Sequence, residues 1–432
     1  MKISSTTIFI IFLALLAILL GYNYFATPFY NRFNQEETVV DNKDVEENSG
    51  SISPSQAVFQ KLSAEEKIGL LMSYPLTITG DLVPTSEATS ASSTASLAQA
   101  NQLSAVHSFE PGFVILYGSK ITLTQAQTAI NGIKELYADI QEAPLFAVDH
   151  EGGSVQRLSG AGFTQLPSWK EFCQAKEFDR LSVLTTSATE LTQAGINIVF
   201  APTIDINSAI LSSRSCDDYE HTLLSAQNYI EVFGVNQIMP VLKHYPGLGS
   251  VKKDLHVAGD MIEPTAQDAA IFLQLLELYP TIGIMTSHAQ VKNNYDNLPC
   301  SISSACVDSI LAANQTSLIF SDALEMKAVE PFGELINDDA VTLGSTAAAN
   351  LALTATVNSS ASANLPKTEF TGLARISYLA LLAGNHVLIY GEGVSVNQLL
   401  IVKQQLAELY DQDPTFANQV NESVLKVLSL KY

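Results

Sequence analysis

The sequence is poor in basic residues. Only 22 of its 432 residues are lysine or arginine, against 44 aspartates and glutamates, so the formal net charge is −22. Nucleic-acid binding depends on basic side chains that contact phosphates, and a strongly acidic chain repels a polyphosphate backbone. We therefore expect no nucleic-acid partner.

Cysteine is scarce as well, with four residues and no CxxC-type spacing of the kind that structural zinc sites use. We expect neither a metal nor another cofactor. In an oxidising compartment four cysteines can pair in three ways, and buried free thiols are equally compatible with the sequence. These residues are Cys173, Cys216, Cys300 and Cys306.

Charged residues make up only 15% of the chain, whereas apolar residues make up 47%. This composition supplies a large core and indicates a globular protein. The length exceeds that of one ordinary domain, but α/β barrels often run past about 250 residues as a single unit. The number of domains must therefore come from the sequence pattern.

One long apolar run, Ile8 to Leu20, lies near the N-terminus and is preceded by Lys2 as the only charge. With its flanks it reaches the roughly 20 residues that span a bilayer. We expect a single-pass signal anchor at 1–25 in the cytoplasmic membrane, with the catalytic part outside the cytoplasm. Secretion after signal cleavage is the alternative. The acidic, aperiodic stretch 26–53 is typical of a flexible spacer.

Residues 54–432 contain eight short apolar runs that alternate with amphipathic helical stretches. This alternation indicates parallel βα units and predicts an α/β fold, a (β/α)8 TIM barrel in a single domain. The runs are Ile68–Tyr74, Gly112–Tyr117, Leu145–Asp149, Asn197–Ala201, Met239–Lys243, Gly283–Ser287, Leu318–Asp322 and His386–Tyr390.

Two stretches exceed a minimal barrel. Gly80–Asn101 is rich in serine, threonine and alanine, and Pro331–Phe370 is of low complexity. Both follow a predicted strand, so we expect them on the C-terminal rim of the barrel as long βα loops. Disordered insertions without a catalytic part are the alternative.

Polar residues cluster where the predicted strands end. An aspartate after a strand is often a helix N-cap, and a lone histidine is usually structural. A barrel, however, brings all these strand ends to one face, which predicts an active site there. The clustered residues are Asp149–Glu151, Asp205, Lys243–His244, Ser287–His288 and Ser321–Asp322.

From about Leu62 to Tyr432 the sequence resembles glycoside hydrolase family 3, in particular its β-N-acetylglucosaminidase branch in cell-wall turnover. The resemblance implies a monomeric, cofactor-free, retaining exo-enzyme that hydrolyses terminal β-linked GlcNAc from peptidoglycan fragments. The motifs are LSAEEKIGLLM, AVDHEGGSVQRL with FTQLPSW, INIVFAPTIDI with SRSCDD, KHYPGLGSVKKDLH, IMTSHAQV and FSDALEMKAV.

The resemblance implies three catalytic residues. Asp322 is the nucleophile, His256 the general acid/base, and Asp254 the residue that orients His256. This Asp-x-His pair lies eleven and thirteen residues beyond Lys243, the spacing of the branch. A histidine acid also avoids a second carboxylate beside Asp322.

The resemblance also implies substrate-binding residues, and the chain departs from the family pattern at three positions. Leu248 and Ser250 stand where the motif has histidine and aspartate, and Ser154 where it has arginine, so the outer substrate site can differ. The implied sugar-binding residues are Asp149, Arg214, Lys243 and His244; Arg157 and His288 bind sugar or support the site structurally.

Three other functions are compatible with this pattern. A neutral histidine acid admits anionic phosphate, which would make the protein a β-N-acetylglucosaminide phosphorylase. A family 3 β-glucosidase usually takes its acid from a glutamate elsewhere and carries a further sandwich-like domain, for which we expect no room after Tyr390. An inactive wall-glycan binding module would not require the full catalytic set.

Overall fold

The computed structural model describes residues 53–78, 93–138, 143–292, 295–334 and 370–432. Their central feature is a parallel sheet in which eight strands follow one another in chain order. The strands are β1 (Ser73–Thr77), β2 (Phe113–Tyr117), β3 (Leu145–Val148), β4 (Ile198–Val199), β5 (Met239–Tyr245), β6 (Gly283–Thr286), β7 (Ile319–Ala323) and β8 (Val387–Ile389).

Helices separate successive strands, as parallel pairing requires. They are α1 (Pro54–Phe59), α2 (Ala64–Leu70), α3 (Ser93–Phe109), α4 (Leu123–Leu136), α5 (Trp169–Gln174), α6 (Glu177–Ala194), α7 (Tyr219–Val235), α8 (Ala266–Leu278), α9 (Ser304–Ala313), α10 (Glu330–Glu334), α11 (Gly372–Leu382), α12 (Val396–Gln412) and α13 (Pro414–Ser429).

The sheet curves until its first and last strands meet. A parallel bridge joins Met72 to Leu388. The Leu388 N–H donates to the Leu71 carbonyl at 2.8 Å. The Tyr390 N–H donates to the Ser73 hydroxyl at 2.9 Å. These contacts close the barrel and leave no unpaired strand edge at this seam.

Aromatic rings from opposite strands fill the barrel interior. Phe320 on β7 packs edge-to-face against Phe113 on β2 and against Phe200 after β4, with centroids 5.9 and 5.8 Å apart. Rings from strands so far apart in the sheet can meet only inside the barrel. The barrel is therefore a packed core whose functional groups must lie at its ends.

The outer helices begin where the sequence supplies capping boxes, as at Ser63–Glu66 before α2. At the other end of the chain, α13 packs against α1 and α2. Lys67 on α2 donates to the Tyr410 hydroxyl at 2.8 Å and to Asn421 at 3.2 Å. The first and last helices thus fasten the barrel seam from outside.

Seven of the eight predicted strands lie within two residues of observed ones, but the first is displaced. Residues 68–70 end α2, because the Ser63–Glu66 capping box starts a helix through this apolar run, and β1 begins only at Ser73. The predicted loop Gly80–Asn101 is also wrong from Ser93 on, where α3 begins. The rest of that loop and residues 335–369 of the second long segment lie outside the described residues.

The prediction that the fold includes an N-terminal transmembrane helix requires correction. Within the described ranges, no helix combines the length and the apolarity that a bilayer crossing demands. The predicted span 1–25 and the spacer, up to residue 52, lie outside those ranges.

The four cysteines form two disulfides, Cys173–Cys216 and Cys300–Cys306. Their Cα atoms lie 5.9 and 5.3 Å apart, within the ordinary range for a disulfide. This selects one of the three possible pairings.

Replacing Ser73 with alanine should destabilise the closed barrel. Ser73→Ala removes the acceptor of the buried Tyr390 N–H, and an unsatisfied buried donor costs about 1–3 kcal/mol. Thermal unfolding should show a melting temperature lower by several degrees. Ser108→Ala is the control, because that hydroxyl donates to the Ser104 carbonyl within an exposed helix turn; equal melting temperatures for both variants would contradict the seam's role.

Candidate active site

The carboxyl ends of β3 and β5 are joined by a buried ion pair. Lys243, on β5, reaches across to Asp149 at 2.9 Å and to Glu151 at 2.6 Å. Burial lowers the pKa of Lys243, but the two carboxylates outweigh burial and hold the pKa above its ordinary value. The lysine is therefore a fixed positive charge at the barrel mouth.

Glu151 also binds a second cation. Its carboxylate accepts two hydrogen bonds from the Arg214 guanidinium, at 2.7 and 2.8 Å, in the bidentate geometry that suits arginine. Burial raises the pKa of Glu151, but Lys243 and Arg214 outweigh it and hold the pKa well below its usual range. One buried carboxylate thus orients two cations.

A tight hairpin places Glu151. The strands His150–Gly152 and Val155–Gln156 pair antiparallel, and Gly152 and Gly153 turn between them with φ of 98° and 56°. A Cβ on Gly152 would collide with the Pro167 carbonyl, so only glycine fits against the segment that leads into α5. The EGG sequence therefore serves backbone geometry as much as chemistry.

The loop that carries Arg214 is fastened to the same α5 helix. The Cys173–Cys216 disulfide joins α5 to this loop two residues beyond Arg214, and the Lys170 N–H donates to the Ser213 carbonyl at 3.2 Å. The hairpin that carries Glu151 and the loop that carries Arg214 are thus both held against α5 and the segment that leads into it.

His244 is held by Asp205, a fully buried residue that follows β4. The ring Nδ1 lies 2.8 Å from Asp205 Oδ2, while Asp205 Oδ1 accepts the Leu248 N–H at 2.7 Å. Because the carboxylate can only accept, Nδ1 carries the proton, which leaves Nε2 as the nitrogen that a ligand can reach. Asp205 thereby fixes the tautomer of His244 and anchors the start of the following loop.

Asp322 lies on β7, partly buried at the barrel mouth. Burial raises its pKa. The imidazoles of His288 and His244 and the Ala323 N–H, at 2.8 Å, lower the pKa by more than burial raises it, so the net shift is downward. The carboxylate is therefore ionised and available as a nucleophile near neutral pH.

His288 lies behind Asp322 and is fully buried. Burial lowers the pKa of His288 and so favours the neutral ring. In that ring Nε2 donates to the Ala323 carbonyl at 2.8 Å and Nδ1 accepts the Ser301 hydroxyl at 2.6 Å. With both nitrogens used in this way, His288 fixes the backbone beside Asp322.

Glu325, three residues after Asp322, brings a second carboxyl group within electrostatic reach of it. Burial raises its pKa, the negative charge of Asp322 raises it further, and the Gly391 backbone amide only partly offsets them. A Cβ on Gly391 would collide with Glu325 Oε1, so glycine is needed to make room. The net shift of the Glu325 pKa is thus upward, opposite to that of Asp322.

Asp254 and His256 form a pair on an exposed loop after β5. Asp254 Oδ1 accepts both the ring Nδ1–H of His256 at 2.8 Å and its backbone N–H at 2.9 Å. These two hydrogen bonds, the backbone bond first, lower the pKa of Asp254. The imidazole is 71% exposed and still lies within electrostatic reach of Asp322.

The remaining predicted residue, Arg157, lies at the edge of this group. Its Nε is 3.8 Å from Asp149 Oδ2, and its guanidinium lies 5.7 Å from the centre of the Tyr117 ring. The structure thus brings all nine predicted site residues to one end of the barrel, as the predicted strand ends implied.

Sequence reasoning did not assign a site role to Glu151, Asp205 or Glu325. Glu151 and Asp205 were visible as polar residues after predicted strands, but no pattern indicated that they orient Lys243, Arg214 and His244. Glu325 gave no signal, because its position three residues after Asp322 is also that of an ordinary loop glutamate.

The chain matches curated relatives over part of its length. It is 29% identical over 220 residues to a β-hexosaminidase of Mannheimia succiniciproducens, a match that covers 47% of this chain and 63% of that one. With a β-hexosaminidase of Shewanella frigidimarina it shares 32% identity over 211 residues, 44% of this chain and 61% of the relative. The matches thus span a little over three fifths of the relatives' length.

The fold is also that of solved structures. The β-N-acetylhexosaminidase of Beutenbergia cavernae aligns with a TM-score of 0.63 at 20% identity, covering 86% of this chain and 99% of that one. In addition, the family model for the glycosyl hydrolase family 3 N terminal domain matches residues 65–429. This chain therefore belongs to glycosyl hydrolase family 3.

Proposed function

We propose that this protein is a retaining exo-β-N-acetylglucosaminidase that acts on peptidoglycan-derived fragments. The Asp254–His256 pair, within electrostatic reach of Asp322, is the observation that carries the proposal. It supplies an acid/base within electrostatic reach of an ionised nucleophile, the two groups that retaining hydrolysis needs. The β-hexosaminidases among the relatives support the choice of sugar.

In the first step Asp322 attacks the anomeric carbon and forms a glycosyl ester, while His256 gives a proton to the departing oxygen. Because His256 Nδ1–H is bound to Asp254, the transferred proton comes from Nε2. Asp254 stays ionised and balances the imidazolium charge, the role that the aspartate has in a Ser-His-Asp triad.

In the second step the neutral Nε2 takes a proton from water, which attacks the anomeric carbon and releases Asp322. A histidine suits both directions of proton transfer, because its unperturbed pKa of about 6.5 lies near physiological pH. Two displacements at one carbon retain the β-configuration of the released sugar.

The fixed charges hold the sugar for this chemistry. Asp149, Lys243, Arg214 and His244 form hydrogen bonds to the ring substituents in the subsite of the cleaved residue. Such preformed charges cost no reorganisation as positive charge develops on the ring. Arg157 lies at the edge of this subsite, and His288 acts by holding the backbone beside Asp322. All these groups come from one chain, so a monomer suffices.

The catalytic part works outside the cytoplasm. Two disulfides support this location, because structural disulfides persist in oxidising compartments and are rare in the cytosol. A cell-wall substrate lies on the same side of the membrane.

Loss of the Glu151 carboxylate should weaken both the fold and substrate binding. Glu151→Gln leaves Lys243 and Arg214 as buried cations without their shared partner, and breaking a buried ion pair costs about 3–5 kcal/mol. The melting temperature should fall and KM should rise. Asp217→Asn is the matched control, since its pair with Lys170 is exposed and surface ion pairs contribute little to stability; similar losses in both variants would argue against the network.

The proposed activity and nucleophile can be tested together. The protein should release 4-nitrophenol from its β-N-acetylglucosaminide but not from its β-glucoside, and Asp322→Ala should reduce turnover by several orders of magnitude, because no glycosyl ester can form. Release from the glucoside would indicate a β-glucosidase. Accumulation of GlcNAc 1-phosphate in phosphate buffer would replace hydrolysis with phosphorolysis, and glycan binding without turnover would indicate a binding module.

The acid/base role of His256 predicts a dependence on the leaving group. His256→Ala should lower kcat/KM far more for the phenyl than for the 4-nitrophenyl β-N-acetylglucosaminide, because only the poorer leaving group needs the proton. His221→Ala is the control, as that exposed histidine, at the start of α7, has a similar aspartate partner in Asp218. An equal loss on both substrates would remove His256 from this role.

A further inference from the structure

The Asp254–His256 pair lies on an exposed loop that must be held in place for proton transfer to Asp322-bound substrate. Within the pair, the Asp254 carboxylate binds both ring and backbone of His256, and the Asp254 carbonyl accepts the N–H groups of Val257 and Ala258 at 2.9 and 3.1 Å. Residues 254–258 therefore form one hydrogen-bonded turn. The position of His256 therefore depends on how this turn is attached to the barrel.

One attachment is apolar. Leu255 is 5% exposed and packs in a cluster with Leu248 and Met326, and its carbonyl accepts the Ala328 N–H at 3.2 Å. This contact fixes one point of the turn against the loop that follows Asp322. Both contacts act at Leu255, so on their own they do not fix the rotation of the turn about this residue.

The second attachment comes from Asp260, at the end of the loop. Its Oδ2 accepts the backbone N–H groups of Lys252 at 2.6 Å and Lys253 at 3.1 Å, the two residues that lead into Asp254. Its Oδ1 accepts the Met261 N–H at 3.0 Å. One carboxylate thus ties the entry of the loop to its exit.

The exit of the loop is itself anchored. The Gln290 N–H donates to the Asp260 carbonyl at 3.0 Å, and residues Met261–Ile262 pair with Gln290–Val291 beyond β6. Asp260 therefore connects the loop entry to a ribbon that belongs to the barrel rim. With the Leu255 contact, this connection fixes the orientation of the turn as well as its position.

We propose that Asp260 is a positioning residue for catalysis, whose carboxylate clamps the loop and so directs His256 towards the leaving group. The inference rests on the proposed function, because it assigns a task to Asp260 only if His256 transfers a proton. Asp260 touches neither His256 nor Asp322 through any contact in the described part of the chain. Its effect is purely geometric, and a displacement of about 1 Å in a catalytic group can cost about 100-fold in rate.

The test compares Asp260→Ala with the wild type on two substrates. For phenyl β-N-acetylglucosaminide, which needs the proton, kcat/KM should fall by about 10- to 100-fold. For the 4-nitrophenyl compound it should change by less than about threefold, since that leaving group departs without full protonation. The pH profile should keep its shape, because the Asp254–His256 hydrogen bond is untouched.

Azide provides a second readout that a general loss of stability would not give. Water attack on the glycosyl ester also needs His256, so kcat for the 4-nitrophenyl compound should fall in Asp260→Ala. Azide needs no base: it attacks the anomeric carbon, the ester bond to Asp322 breaks, and glycosyl azide forms. Added azide should therefore restore kcat in the variant and leave the wild type unchanged.

Two further variants complete the test. Glu263→Ala removes an exposed carboxylate beside the same ribbon, whose ion pair in the described residues is with Lys292 at 2.7 Å, and this variant should behave as wild type. Asp260→Asn keeps an acceptor oxygen and should retain most activity. Equal losses on both substrates, no loss at all, or an equal effect of Glu263→Ala would overturn the clamp. A wild type inactive on both substrates would instead refute the proposed function.

Discussion

The buried carboxylate of Glu151 is the constraint on which the site depends. Lys243 comes from β5 and Arg214 from the loop after the neighbouring strand β4, and the two cations would repel each other there unless an anion lay between them. Because the cost of an unpaired buried charge is several kcal/mol, their positions are fixed before any ligand arrives. The glycines of the hairpin, the α5 helix and the Cys173–Cys216 disulfide all bear on where this one carboxylate and its partners lie.

The carboxyl groups of Asp322 and Glu325 lie near each other, but their surroundings shift their pKa values in opposite directions. Asp322 keeps its ionised form because imidazoles and a backbone N–H surround it, whereas Glu325, a few residues on, is pushed towards its neutral form by burial and by Asp322 itself. The pKa values of the two carboxyl groups at this end of the barrel therefore shift in opposite directions. The difference lies in the partners that the backbone offers to each.

Much of this arrangement could be predicted from the sequence, because it depends on local patterns. Apolar runs such as that of β2 fix strands, and polar residues at their ends fix the active face. The strand prediction for the first run was wrong, because Ser63 and Glu66 form a capping box and the helix that starts there includes Ile68 to Leu70. The roles of Glu151 and Asp205 could not be predicted, because each depends on a partner dozens of residues away, Arg214 or His244, whose direction only the folded backbone sets.

The seam of the barrel has a consequence for how the chain is made. The bridge between Met72 and Leu388, like the contact of Lys67 with Asn421, joins segments from the two ends of the described chain. A nascent polypeptide emerges N-terminus first, so the edge of β1 that pairs with β8 stays open until β8 has been synthesised. Open parallel edges invite pairing with other chains, and contacts of such long sequence separation form slowly. Ribosomal pausing or truncation before β8 would therefore yield an aggregation-prone open sheet.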